Sequence, residues 1–167
     1  MKNKLLLFSA LCLFSILKVK AQTWSELGEL NNEINSICTD PQGNIYAAGY
    51  FQNDSLNQFV AKYNGTSWIE LGGLNALAAD SWIESICCDG LGNIYAAGYF
   101  ANDSMNCYVA KFNGTSWSEL GGPNSLSTDA LSIWSICSDF KGNIYAVGDF
   151  YNNSLNNYVA KFDGSSW

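Results

Sequence analysis

The sequence predicts an all-β fold built from repeated four-stranded units, and three observations carry that reading. The pentapeptide Gly-Asn-Ile-Tyr-Ala occurs at 43–47, 92–96 and 142–146, at spacings of 49 and 50 residues. A second motif, aromatic-Val-Ala-Lys-aromatic, occurs at 59–63, 108–112 and 158–162, and a Trp follows at 68, 117 and 167, in each repeat 25 residues after the first glycine. The composition, with 15 Gly, 9 Tyr, 9 Phe, 6 Trp and only 2 Pro, favours pleated sheet over helix. Periods of this size mark propeller blades or solenoid arrays. Four short strands that are apolar on both faces suit a propeller blade, which packs between two others. A parallel β-helix is the alternative.

Taken in order, the chain opens with a predicted secretory leader over 1–21. Lys2 and Lys4 form its basic start, Leu5 to Leu17 its apolar run of 13 residues, and Val19-Lys20-Ala21 its cleavage pattern. That run falls short of the ~20 residues a helix needs to cross a bilayer, so no membrane span is expected. The remainder, 22–167, reads as one propeller segment with repeats near 24–68, 69–117 and 118–167. Trp24-Ser25-Glu26-Leu27-Gly28 has the pattern of a fourth strand with nothing before it to pair with.

Within each repeat, the first strand is predicted at Ile34–Thr39, Ile83–Cys88 and Ile133–Ser138. An Asp-x-x-Gly-Asn turn follows at Asp40, Asp89 and Asp139, with glycine tolerating the positive φ of a tight hairpin. The second strand covers Asn44–Phe51 and its equivalents, apolar on both faces and hence sandwiched. A polar loop (Asn53-Asp54-Ser55 in the first repeat) leads to the third strand, and an Asn-Gly-Thr-Ser turn leads to the fourth, beginning at Trp68.

Ile45-Tyr46-Ala47-Ala48-Gly49-Tyr50, Phe59-Val60-Ala61-Lys62-Tyr63-Asn64-Gly65 and Trp68 together resemble a kelch repeat. The Asp-x-x-Gly-Asn-Ile-Tyr-Ala-x-Gly piece also resembles the β-propeller repeats of secreted bacterial proteins, and the leader ending at Ala21-Gln22 is similar to signal peptides of Bacteroidetes. Gly49-Tyr50, Gly98-Tyr99 and Gly148-Asp149 stand where kelch repeats carry two glycines. The resemblance implies a propeller from Trp24 to Trp167, secreted or at the cell surface. A leading fourth strand usually closes such a ring, but here it would close three blades, against typically 4–8. Either the reading frame continues past Trp167 into further blades, or copies of the chain assemble into a ring.

Composition then removes whole classes of activity. The chain has no His and no Arg, since all eight basic residues are lysines. Without His there is no Ser-His or Cys-His nucleophile and no imidazole metal ligand, which also excludes kelch-type copper oxidase chemistry. Without Arg there is no bidentate phosphate clamp. Removing residues 1–21 leaves four lysines against 15 acids, a net charge of −11, which argues against nucleic acid.

The remaining candidates are weighed residue by residue. Cys38, Cys87 and Cys137 recur at one position of the first strand and read as small core residues, and Cys88 and Cys107 fall at opposite ends of their sheet. A disulfide among them is not expected, because equivalent positions of a ring lie beyond the ~7 Å limit. Lys62, Lys111 and Lys161 recur too, and are expected to pair with Glu26, Glu70 and Glu119. Paired carboxylates (Asp54 and Asp103 in equivalent loops, Asp80 and Asp129 in the long connections) are the acid–base chemistry left open, against the plainer reading as turn residues. The Asn-Asp-Ser loops are oxygen-rich enough for calcium but lack EF-hand spacing, so no cofactor is expected.

Residues that do not recur are free of blade-building duty. Trp82 aligns with Glu33 and Ser132, and Trp134 with Asn35 and Glu84. Both fall where the fourth-to-first connection enters the first strand. That connection and the second-to-third loop emerge on one face of a propeller, where variable loops on a rigid scaffold carry binding. The expectation is a non-catalytic binding or structural module with Trp82, Trp134, Asp54, Asp80 and Asp103 as its candidate ligand residues. Its ligand would be a glycan, a protein or a peptide. A hydrolase, or spacer blades of a longer surface protein, are the alternatives.

Overall fold

In the computed structural model the described residues are 24–126, 132–139, 141–150, 156–157 and 159–167. The predicted leader, Asp129, and the third repeat's Asn152 and Asn153 lie outside them. Among the described residues eleven strands form three antiparallel sheets in chain order. The first holds β1 (Ile34–Thr39), β2 (Ile45–Gly49), β3 (Ala61–Tyr63) and β4 (Trp68–Glu70). The second holds β5 (Ile83–Cys88), β6 (Ile94–Gly98), β7 (Ala110–Phe112) and β8 (Trp117–Glu119). The third holds β9 (Ile133–Ser138), β10 (Ile144–Gly148) and β11 (Ala160–Phe162). These are propeller blades, packed one on the next in an arc that does not close within the chain. Among the described residues no helix is long and apolar enough to cross a membrane.

β2 and β6 are buried on both faces, and the alternating residues of β6 serve two different neighbours. Tyr46, Ala48 and Val60 of the first blade pack on Ile83, Ile86, Ile94 and Phe112 of the second. Tyr95, Ala97 and Val109 of the second blade repeat that contact on Ile133, Ile136, Ile144 and Phe162 of the third. The second blade therefore turns an isoleucine face to the first blade and a tyrosine face to the third. A fully buried Ile such as Ile83 or Ile133 contributes about 1.5–3 kcal/mol. Polar links reinforce the contact. The Ser36 Oγ accepts from Ile86 N (3.0 Å), and the Ser85 Oγ accepts from Ile136 N (3.1 Å). At the outer edge the Trp117 and Trp167 indoles donate to the carbonyls of Leu71 and Leu120, each at 3.1 Å.

The hairpin turn between first and second strands is built around its aspartate. Asp89 Oδ1 accepts from Leu91 N and Asn93 N, and its Oδ2 from Asn93 Nδ2 and the Tyr95 hydroxyl. Asp40 and Asp139 repeat the arrangement. Gly43, Gly92 and Gly142 take the positive φ (82°, 86° and 83°) that the sequence motif predicts.

Two expectations need correction. Trp24–Gly28 does not form a strand, and Trp24 is fully exposed; among the described residues no strand pairs with this segment. The lysines do not take the expected glutamate partners. The register sets Lys62 opposite Ile69 and beside Tyr46, so its Nζ lies over the Tyr46 ring at 5.6 Å. Lys111 and Lys161 lie over Tyr95 and Tyr145 in the same way, at 5.7 and 5.9 Å. Glu70 and Glu119 instead accept from Asn53 and Asn102.

Candidate functional site

The first strand of every blade carries a β-bulge near its start. In β1 the pairing jumps from Ile34↔Gly49 to Ser36↔Ala48, leaving Asn35 as the extra residue. Glu84 is the extra residue in β5 and Trp134 in β9. The residue opposite the start of each bulge is a glycine, and the backbone leaves no room there for a side chain. A Cβ on Gly49 would stand 2.1 Å from the Glu33 carbonyl oxygen, and one on Gly98 at 2.1 Å from that of Trp82. The next residue (Tyr50, Tyr99, Asp149) donates its backbone N–H to the equivalent carbonyl (Glu33, Trp82, Ser132). Bulges re-aim side chains away from the ladder, and here they release Asn35, Glu84 and Trp134 from the packing between blades.

Between the first two blades these residues meet. Tyr50 and Trp82 lie 4.7 Å apart between ring centroids at 36°, and Trp82 meets Tyr99 edge-on at 5.6 Å. The Trp82 ring thus packs on two other aromatic rings and is still 45% exposed. Glu84 lies alongside, accepting from Asn35 Nδ2 at 3.2 Å and from the Tyr50 hydroxyl at 3.3 Å. Burial and then the Glu84 charge push the Tyr50 phenol above its ordinary value, so it stays a neutral donor at physiological pH. Trp134 occupies the matching bulge of the third blade and is 54% exposed.

The second-to-third loops and fourth-to-first connections do share a face, and they are tied together. Asn53 Nδ2 donates to Asn75 Oδ1 (2.9 Å) and Asn102 Nδ2 to Asn124 Oδ1 (3.1 Å). The Asn53 and Asn102 carboxamide oxygens each cap two backbone N–H groups of their own loops, so turn chemistry accounts for these repeated residues. Asp54 and Asp103 sit exposed at equivalent loop positions, with Asp103 lining a cleft of about 350 Å3 beside Leu77, Tyr108 and Glu119. The Asp80 Oδ1 accepts from Ala101 N, tying its connection to the neighbouring loop. Of the five residues singled out from sequence, Trp82 stands in the aromatic cluster, Trp134 at the equivalent bulge one blade on, and the three aspartates on the surrounding loops.

At the opposite mouth, Asp40, Asp89 and Asp139 surround a pocket of about 270 Å3. Burial raises the pKa of Asp40 and Asp89, but hydrogen bonds from Asn44, Tyr46 and Gln42, and from Asn93, Tyr95 and Leu91, outweigh it and hold both below the usual range. All three carboxylates are spent on their own turns. Among the described residues no group of three or more His, Cys, Asp or Glu is placed to hold a metal ion.

Sequence reading missed Glu84, Asn35, Tyr50 and Tyr99. Asn35 and Glu84 align with Trp134 and differ in every repeat, so the non-recurrence that marks Trp134 marks them too. Residues 28–51 match the family model described as two component regulator propeller, spanning the approach to the first blade and its first hairpin. The chain matches no curated protein.

Proposed function

We propose that this propeller segment is a secreted, non-catalytic binding module that takes a carbohydrate on the face carrying the three bulges. One observation carries the reading: Trp82 packs on Tyr50 and Tyr99 yet is exposed, with the Glu84 carboxylate held by the hydroxyl of that same Tyr50. An indole ring presents a flat apolar surface to the C–H face of a sugar. Glu84 accepts from its hydroxyls, and Asn35 serves as donor and acceptor. Because the ring is braced before any ligand arrives, binding does not have to order it. The leader pattern of residues 1–21 supports export. The lack of His and Arg, and the commitment of Asp40, Asp89 and Asp139 to structure, support a role without catalysis.

A glycan array followed by titration calorimetry tests this. The chain is expected to retain at least one glycan class, and Trp82→Ala to lose roughly tenfold or more in affinity, equivalent to about 1.4 kcal/mol. Retention of peptides in place of glycans overturns the ligand class. No retention of either, or equal affinity in Trp82→Ala, overturns the binding role in favour of spacer blades.

A further inference from the structure

Acidic and basic side chains are sorted between the two mouths of the blades. Lys62, Lys111 and Lys161 stand over the rings of Tyr46, Tyr95 and Tyr145, whose hydroxyls donate to the turn aspartates Asp40, Asp89 and Asp139. Lys141 lies within the third of those turns, where its backbone N–H donates to Asp139 Oδ1. The bulge face carries acids instead: Glu33 and Glu84 where β1 and β5 begin, and Asp54, Asp80 and Asp103 on the surrounding loops. Among the described residues that face presents no basic side chain.

Glu84 is the acid of this face that the aromatic cluster holds in place. Its two partners, the Asn35 carboxamide at 3.2 Å and the Tyr50 hydroxyl at 3.3 Å, are both neutral, so neither offsets its charge. A carboxylate offers about four lone-pair sites, and these two donors leave about half of them for a ligand. Glu84 is half-buried, which strengthens its attraction for a cation, while Trp82, packed on that same Tyr50, stays open to solvent. After burial and the Glu84 charge, the Glu33 charge also raises the Tyr50 phenol, which puts a second carboxylate within electrostatic reach of the cluster.

We infer that the sugar taken at this face is an amino sugar, its free ammonium group held by Glu84 and its ring laid on Trp82. The inference rests on the carbohydrate reading and names the chemistry of the sugar. An ammonium brings three donors and a positive charge, and its hydrogen bond to a carboxylate is about twice as strong as a neutral one. A neutral sugar hydroxyl leaves the Glu84 charge uncompensated. A uronic or sulfated sugar meets like charge from Glu33, Asp80 and Glu84, with no guanidinium or ammonium on this face to clamp it. The indole attracts a cation through its ring face as well as the C–H face of the sugar, so charge and ring both find a complement. N-acetylation of the amine removes the charge and with it the advantage.

Titration calorimetry with the tetrasaccharide of glucosamine and with its fully N-acetylated counterpart tests it, in mildly acidic buffer that keeps the amines protonated. The free-amine form is expected to bind the wild-type chain about tenfold or more tighter than the acetylated form. Glu84→Gln, which keeps the side chain's shape, is expected to erase that difference while leaving the acetylated affinity and the circular dichroism unchanged. The wild-type comparison decides the charge preference without any variant. Equal or tighter binding of the acetylated form, or a preference that survives Glu84→Gln, would overturn the amino-sugar inference and leave the carbohydrate reading standing. A lysine tetrapeptide bound as tightly as the free-amine tetrasaccharide would overturn it too, since charge alone would then be read. Retention of no glycan on the array would overturn the carbohydrate reading itself, so the two failures are distinguishable.

Discussion

Replacing Gly98 by alanine probes the feature on which both the blade and the proposed binding face depend. The added Cβ would stand 2.1 Å from the Trp82 carbonyl oxygen and 2.9 Å from Glu84 N and Ile83 Cα, all of them backbone atoms. Carbon–oxygen contacts ordinarily begin at about 3.3 Å, so the strands must part by about 1.2 Å. No side-chain rotation relieves this. Parting weakens the Tyr99 N–H bond to the Trp82 carbonyl (2.9 Å), at about 1 kcal/mol. It also strains the fully buried Ile83, at about 1–3 kcal/mol for overpacking. Alanine returns about 0.4–1 kcal/mol by stiffening the unfolded chain. The net expectation is a loss of about 1–3 kcal/mol, read in urea as a lower midpoint at unchanged slope. Gly90→Ala is the control, since a Cβ there meets nothing within 4 Å and no loss is expected. If Gly98→Ala unfolds within about 0.5 kcal/mol of wild type, the bulge is not the tight contact described and the argument from it fails.

Two further outcomes follow from the same geometry. Asp40, Asp89 and Asp139 have folded pKa values below the ordinary carboxyl value, Asp139 at about 2 through hydrogen bonds led by Asn143. Stability from these turns is therefore complete above the ordinary value of about 3.9 and is lost as pH falls through the folded values. Urea midpoints should be level in neutral buffer and drop between about pH 4 and 2, and Asp89→Asn should cost about 1.5–3 kcal/mol at neutral pH and flatten that drop. A pH profile identical in wild type and Asp89→Asn would contradict the account of the turn. Burial, then nearby charges, pushes the Cys38 thiol up to about 12 and raises Cys87, while burial and the Asp80 charge raise Cys107. In a native thiol titration at mildly alkaline pH these three should stay unlabelled until urea is added, and rapid labelling of Cys87 would show that the blades do not pack as described.

The first strands were legible in the sequence to the residue, because a segment apolar on both faces and repeated three times leaves little freedom in where Ile34–Thr39 and its equivalents lie. The bulges were not legible. An extra residue in a strand alters neither composition nor period, and its visible trace is a glycine at 49, 98 and 148 that also reads as a kelch remnant. Trp82 and Trp134 stand out in the sequence because a large aromatic that fails to recur draws notice. Asn35 and Glu84 vary at the same aligned position, but small polar variation looks like ordinary loop drift until the bulge points it outward. Tyr50 and Tyr99 recur in two blades and so read as structure. The lysine partners went wrong for a different reason. Charge balance suggested glutamate, whereas the register of β2 and β3 puts Tyr46 opposite Lys62.

The most direct test of the proposed binding face is the indole N–H region of a two-dimensional 15N–1H NMR spectrum, which separates the signals of the six tryptophans. During titration with an array-selected glycan, the account predicts that the Trp82 signal moves with ligand concentration. The Trp117 and Trp167 signals, whose indoles donate to Leu71 and Leu120 between blades, should stay in place. A titration that shifts those interblade tryptophans and leaves Trp82 unmoved would contradict it.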